Sequence, residues 1–302
     1  MSHSEALADQ PLPEALCDRY QLERLLGVGG MSSVYRARDL LREQFGEPEP
    51  YMALKLLNAE FAEYPDANAL LYSEYALTLR LHHPHVVRPH SFEVDPASQR
   101  AFITLELLRG PTLDQLLCEC PEGLPRHEFA ELAGDLLAAL AHAHERGVLH
   151  GDVKPSNLLL AEDGLRLFDF GLGQASQGLL EGLPKLARAR FAAWTPRYAA
   201  LELLEGGPLS PATDLYAAAC VLYELLTGKH PYQRLSARQA KAKQLDRELR
   251  APAQLPRRCW RALRTALALD EADRRISVAQ LRDALHTARP MGLGRWLPRR
   301  RG

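Results

Sequence analysis

His150-Gly151-Asp152-Val153-Lys154-Pro155-Ser156-Asn157, followed by Asp169-Phe170-Gly171, is the stretch on which both fold and chemistry turn. Asp152 can take or orient the proton of an attacking hydroxyl, and Lys154 can neutralise charge on a moving phosphoryl group. Asn157 and Asp169 can offer hard oxygen ligands to Mg²⁺. A chance turn rich in Asp and Asn would not set all four groups at this spacing. Phosphoryl transfer is the chemistry that this set predicts.

Upstream of this stretch the texture is that of a sheet. Tyr20–Leu26 partly alternates, Gly27-Val28-Gly29-Gly30-Met31 is glycine-rich, and Ser33–Ala37 alternates again, which predicts strand, turn and strand. A dinucleotide fold needs a helix after the glycines and a P-loop needs Gly-Lys-Ser/Thr, so this context rejects both. What survives is a hairpin whose backbone N–H groups can close over nucleotide phosphates, a pattern that fits a plain structural turn equally well. Met52-Ala53-Leu54-Lys55 places a Lys in an apolar strand, where an unpaired ammonium costs several kcal/mol. A Lys snorkelling from an edge strand is the plain alternative. A partner for it stands at Glu74, on the helix expected over residues 67–82. Two further strands are expected over 90–95 and 101–108.

Beyond Gly110 the pattern turns helical. Phe129, Leu132, Ala133, Leu136, Leu137, Leu140 and Ala143 form the stripe of an amphipathic helix. Leu215–Leu226 is apolar nearly all round, as a buried helix should be, and 257–269 and 277–287 supply two more. The fold class expected is therefore α+β with two lobes. It comprises a flexible leader over 1–18, a domain over 19–288 with a β-rich half (19–108) and a larger α-helical half (109–288), and a basic tail over 289–302.

With these motifs in place, the chain resembles the eukaryotic-like (Hanks-type) serine/threonine protein kinases of bacteria, over about residues 20–288. The resemblance implies a bilobal kinase fold, ATP as phosphoryl donor, Mg²⁺ or in its place Mn²⁺, and a protein Ser/Thr acceptor. Asp152 and Lys154 would be catalytic, and Asn157 and Asp169 would hold the metal. Leu26, Gly27, Val28, Gly29, Gly30, Met31, Ser32 and Val34 would cover the nucleotide, with Ser32 standing where the family's third glycine usually is. Lys55, held by Glu74, would take the phosphates. Adenine would sit between Val34, Ala53 and Leu159, its edge on the backbone of Glu106 and Leu108, with Leu105 as gatekeeper. His83-Pro84 resembles the family's turn after the Glu74 helix. Thr195–Glu202 resembles the segment ending in Ala-Pro-Glu, with Leu201 in place of proline; Arg274 would pair with Glu202, and Asp214 matches the Asp of the buried helix.

One departure bears on regulation. Gly151 occupies the place of the Arg on which a phosphorylated activation loop docks in many relatives, so activity is expected not to depend on that phosphorylation. Between Asp169 and Glu202 the hydroxyl side chains are Ser176, Thr195 and Tyr198. His-Gly-Asp also resembles small-molecule phosphotransferases of the aminoglycoside and choline kinase kind, but Lys154, Thr195, Glu202 and Arg274 favour a protein substrate. A pseudokinase scaffold is the other alternative, opposed by the intact Lys55, Asp152, Asn157 and Asp169.

Composition narrows the remaining classes. Among 302 residues, 37 Lys+Arg face 38 Asp+Glu, a balance that argues against nucleic acid as main partner. Five scattered Cys and no apolar leader or spanning run predict a soluble, cytoplasmic chain in a reducing compartment. The Arg-rich tail is expected to be a soluble end rather than a weak anionic-membrane contact. His82, His83 and His85 are assigned to a structural turn rather than to a metal, and His142 and His144 to surface and packing. The insertion Leu41–Pro50 is expected to be a solvated loop, with partner binding as the lesser alternative, and Lys185, Arg188 and Arg190 make the activation segment basic, which fits either acidic substrates or a solvated loop. The oligomeric state is not encoded in any of these features.

Overall fold

A computed structural model describes residues 15–29, 31–62, 64, 66–171, 173–175 and 195–286. Expectations for Gly30, Ser176, Lys185, Arg188, Arg190, the leader before residue 15 and the tail 289–302 fall outside these residues. The described residues form two compact units, one running up to Arg80 and resuming over Val87–Leu108, the other formed by Leu81–Val86 and the described residues from Arg109 onward.

The first unit is built on six strands: β1 (Ala15–Leu16), β2 (Tyr20–Val28), β3 (Ser32–Asp39), β4 (Tyr51–Leu57), β5 (Pro89–Val94) and β6 (Ala101–Leu105). They lie in the order β1-β2-β3-β4-β6-β5, every neighbouring pair antiparallel. Successive side chains of β4 alternate between faces. Met52, Leu54 and Leu56 join Leu16, Tyr20, Ala37 and Phe102 in a buried cluster, and Ala53 and Lys55 therefore point to the opposite face. Three expectations are corrected here. Ala15–Leu16 is a strand paired to Tyr20 and Gln21, not leader. The last strand stops at Leu105, not at 108. The insertion after β3 is not simply a loop, because Leu40–Gln44 forms a short helix, α1. Its N-cap, Asp39, accepts N–H bonds from Leu41 and Arg42 and is fully buried against Arg19 at 2.7 Å. The helix expected after β4 is α3 (Ala67–Leu79), preceded by the single turn α2 (Ala59–Ala62).

In the second unit, α4 (Leu113–Glu119) precedes α5 (Arg126–Glu145), which buries all seven residues of the stripe read from sequence. Each such Leu contributes about 1.5–3 kcal/mol of transfer free energy. Next come β7 (Val148–Leu149), the hairpin β8 (Leu158–Ala161) with β9 (Gly164–Leu167), and β10 (Gln174–Ala175), which pairs antiparallel with β7. The helices α6 (Leu201–Leu204), α7 (Pro211–Thr227), α8 (Ala237–Ala242), α9 (Arg257–Ala266) and α10 (Val278–His286) follow. Ser210 caps α7 through the Thr213 N–H, and Pro211 sits in its first turn. Gly228 ends it in the left-handed region at φ 67°, where a Cβ would meet the Pro121 carbonyl oxygen at 1.9 Å, so only glycine fits. Leu201 opens α6 at its first helical position, a place where proline and leucine are both accommodated.

The segment Leu81–Val86 is bound wholly within the second unit. Val86 bridges Leu167, the Leu167 N–H donates to the His85 carbonyl, and His85 Nδ1 lies 3.1 Å from the Leu165 carbonyl. His83 packs between the rings of His85 and His142, at 5.3 and 5.0 Å. Burial, with these two neighbours, lowers its pKa to about 4. Among the described residues no group of three or more His, Cys, Asp or Glu has the arrangement of a metal site.

Candidate active site

In the first unit, the glycine turn joins β2 to β3, with Gly27 opposite Val34 and Val28 opposite Ser33. The turn closes with the Gly29 N–H on the Ser32 carbonyl at 2.8 Å. Asn58, just past β4, ties it down: its Nδ2 donates to the Gly29 carbonyl, its backbone N–H to the Met31 carbonyl, and its Oδ1 accepts from Ser33 Oγ. Sequence reasoning missed Asn58, whose only signal was a polar residue ending an apolar strand. Leu26 and Val28 are exposed, Val28 at 70%, so the hairpin carries apolar side chains open to solvent.

Strand register places Val34, Lys55 and Ile103 side by side, with Ala53 opposite Leu105 one pleat away. Lys55 Nζ reaches both carboxylate oxygens of Glu74 on α3, at 2.6 and 2.7 Å. The two side chains are only 8% and 11% exposed, which rules out the snorkelling alternative. Past β6, the Glu106 N–H donates to the Arg88 carbonyl, while Glu106 Oε1 accepts the Arg88 N–H. A ligand meeting the Glu106 backbone would therefore meet its carbonyl, one residue beyond the sheet and two before Leu108.

In the second unit, Asp152, Lys154 and Asn157 come together on the loop between β7 and β8. Lys154 Nζ lies 2.5 Å from Asp152 Oδ2 and 3.1 Å from Thr195 Oγ1. Asn157 donates Nδ2 to the Asp152 carbonyl at 2.9 Å, which fixes the orientation of its amide. The Phe168 N–H donates to the Asn157 carbonyl, bringing the Asp169 segment alongside. Asp169 adopts a left-handed φ of 67°, uncommon for a residue with a side chain and typical of functional turns. Phe170 is buried against the His150 ring, centroids 4.6 Å apart. His150 Nδ1 accepts the Asp152 N–H, so the ring proton sits on Nε2 and faces the Phe168 carbonyl. Leu159 lies on β8, half-buried, opposite Arg166 and bridged to Thr112.

Beneath this loop sits Asp214, on α7 and fully buried. Its Oδ2 accepts the His150 N–H at 2.9 Å and faces His144 Nε2 at 2.9 Å, and its Oδ1 accepts the Gly151 N–H at 2.8 Å. Burial works against its ionisation, yet His144 and these N–H groups outweigh it and hold the carboxyl below its ordinary pKa. His144 is therefore a hydrogen-bond partner of the buried carboxylate, which corrects its assignment as an ordinary surface or packing residue. Gly151 itself has φ 82°, so the residue replacing the family's Arg sits in backbone that glycine adopts without strain. Nearby, Arg274 donates to Glu202 Oε2 at 2.5 Å and to the Ala212 carbonyl at 2.6 Å. Tyr198 donates to Glu224 at 2.6 Å.

The donor set suits a divalent cation. Mg²⁺ is usually held by one or two carboxylates together with substrate phosphates, not by an all-protein cage. A carboxylate at Asp169 and an oriented amide at Asn157 fit that pattern.

Comparison with known proteins agrees with this geometry. The family model described as protein kinase domain matches residues 20–285. Serine/threonine-protein kinase PkaA of Streptomyces coelicolor is 33% identical over 267 residues, 85% of this chain and 47% of that protein. Serine/threonine-protein kinase PknH of Mycobacterium bovis is 36% identical over 72% of this chain and 34% of its own length. PknD of Mycobacterium tuberculosis, also named a serine/threonine-protein kinase, is 33% identical over 89% of this chain and 39% of its own. The chain thus spans about half or less of the length of these curated relatives.

Proposed function

The chain belongs to the protein kinase family, and we propose that it transfers the γ-phosphoryl group of ATP to Ser/Thr hydroxyls of protein substrates, with Mg²⁺ as the divalent cation. The observation that carries this reading is the Lys154 ammonium, which bridges the Asp152 carboxylate and the Thr195 hydroxyl. Asp152 accepts or orients the proton of the acceptor hydroxyl. Lys154 keeps the Asp152 side chain in place and balances charge on the group in transit. Lys55, fixed by both oxygens of Glu74, binds the α- and β-phosphates. The hairpin over Leu26–Val34 covers them, and Ala53, Leu159 and the backbone of Glu106 and Leu108 receive the base. Asn157 and Asp169 hold the cation, which when bound neutralises phosphate charge.

Lys154, Thr195 and the Glu202–Arg274 pair, with its Arg buried, favour a protein acceptor over a small molecule. With Gly151 in place of the docking Arg, activity is independent of activation-loop phosphorylation. Ser176→Ala and phosphatase treatment should therefore leave the rate unaltered, and a large loss from either sinks this part of the reading. All five Cys are free thiols, which fits a reducing compartment, and the cytoplasm is the location proposed. Among the described residues no helix is long and apolar enough to cross a membrane.

The decisive experiment incubates the chain with labelled ATP, Mg²⁺ and a panel of proteins, beside Asp152→Asn, and maps any phosphorylated residue. Loss of the acid/base group should lower the rate by about 10²- to 10⁴-fold. A rate near wild type in Asp152→Asn overturns the assignment. Transfer only to metabolites revives the small-molecule reading, and ATP binding without any transfer revives the scaffold.

A further inference from the structure

The second unit contains a cavity of about 530 Å³, a ligand-sized volume, that none of the roles above uses. It opens between the C-terminal end of α7, the loop that follows it and the segment 245–250. Lys229, His230, Arg234, Glu248 and Arg250 are among its walls. Lys229, Arg234 and Arg250 are exposed cations against the single exposed carboxylate of Glu248. His230 adds no charge at neutral pH, because burial pushes its pKa down to about 4. Glu224, the nearest buried acid, already accepts the Tyr198 hydroxyl and lies 3.9 Å from Arg234.

The loop forming this wall has a defined internal structure. His230 Nδ1 accepts the N–H groups of Tyr232 and Arg234, each at 3.2 Å, and its Nε2 donates to the Arg197 carbonyl at 2.9 Å. Gln233 and Arg234 are two successive non-glycine residues in the left-handed region, at φ 54° and 61°. Arg197 lies two residues beyond Thr195, which receives the Lys154 ammonium. The short stretch Thr195–Arg197 thus bonds at one end to the lysine of the Asp152 loop and at the other to the cavity wall.

We propose that this cavity is a docking site for an acidic segment of the protein substrate, away from the acceptor residue itself. The inference rests on the protein kinase reading and specifies the substrate class. Three cations drawn from two separate chain segments suit a run of carboxylates better than one compact anion, whose recognition needs donors converging on a point. Because the cations are exposed, the attraction must weaken as salt rises.

The test uses the full chain and two fluorescein-labelled dodecapeptides, each with one Ser, one otherwise rich in Glu and the other with Gln at the same positions. Anisotropy should show the Glu peptide binding about tenfold more tightly, three exposed charge pairs each contributing roughly a factor of two. The advantage should shrink at high salt and vanish in Lys229→Gln/Arg234→Asn/Arg250→Gln. Asn is chosen at 234 because it tolerates left-handed backbone, and circular dichroism checks the variant's fold. In transfer from labelled ATP, the preference should appear in KM. Equal binding of both peptides to the wild type, or a Glu preference that persists in the folded variant, overturns the docking site. Transfer to both peptides at equal KM rejects docking and leaves the kinase reading intact. A Glu preference in binding, with no transfer to either peptide or to any protein of the panel above, supports an acidic docking site and rejects the kinase reading.

Discussion

Asp214→Asn is the substitution through which the structural support of the catalytic loop can be weighed. The wild-type carboxylate meets three groups, two through Oδ2 and one through Oδ1. An amide has only one acceptor oxygen. If that oxygen takes the Oδ2 place, the Gly151 N–H faces an NH₂ group, and the bonds from His150 and His144 lose their ionic character. An orphaned buried donor costs about 1–3 kcal/mol, and each charge-assisted bond made neutral loses about 1 kcal/mol more. The sum is about 3–5 kcal/mol, comparable to breaking a buried pair. At roughly 2–4 °C per kcal/mol for a domain of this size, the melting temperature should fall by about 6–20 °C. Thermal and urea melts followed by circular dichroism measure it. The pH dependence provides a second check. Because the folded carboxyl has a lowered pKa, its contribution is whole above the ordinary value of 3.8 and is lost as pH falls through the lower folded value. The gap between wild type and variant should therefore be constant at neutral pH and close only below about pH 4. A loss under about 1 kcal/mol at pH 7, or a gap that widens in acid, refutes the reasoning.

Three further outcomes are expected. Gly151→Ala, forced to adopt φ 82°, should destabilise by about 1–2 kcal/mol, read as a shift of the urea midpoint without a change of slope, and an unmoved midpoint refutes the strain. Lys55→Met removes the ammonium that Glu74 meets with both carboxylate oxygens; transfer from labelled ATP should fall by at least about 10²-fold, and a rate within threefold of wild type contradicts the role. Cys220 and Cys259 are fully buried, and burial pushes the Cys220 thiol up, whereas Cys118 is exposed. A thiol reagent should label Cys118 quickly and the buried pair only on unfolding, so uniform labelling would show the interior to be open.

The residues legible in the sequence were those whose chemistry is packed into short runs. Asp152, Lys154 and Asn157 lie on one loop, so their meeting needs no knowledge of distant packing. Lys55 was legible for another reason: an ammonium amid Met52, Leu54 and Leu56 demands a partner, and Glu74 lay on the next sizeable helix. Asp214 was different. Its helix is apolar nearly all round, which conveys burial but not which carboxylate oxygen meets an N–H more than sixty residues away. His144 was misjudged because i, i+2 spacing concerns faces of its own helix and says nothing of what α7 presents to it. The helix α1 was hidden by its length of five residues and by Pro48 and Pro50 shortly after it, while its strongest signal, Asp39, reads equally as the polar end of a strand. Asn58 shows the same limit, since its bonds reach 29 residues back to a turn whose geometry the sequence does not encode.

The six residues Leu81–Val86 have a consequence in the order of synthesis. They leave the ribosome with the first unit, yet their bonds are made with Leu165 and Leu167. At about 5–20 residues per second, Val86 precedes Leu167 by roughly 4–16 s. During that interval Leu81 and Val86, both buried in the finished protein, have no native partner strand. A nascent chain halted near Leu108 would thus hold Leu81 and Val86 before Leu165 and Leu167, to which this segment bonds, have been made.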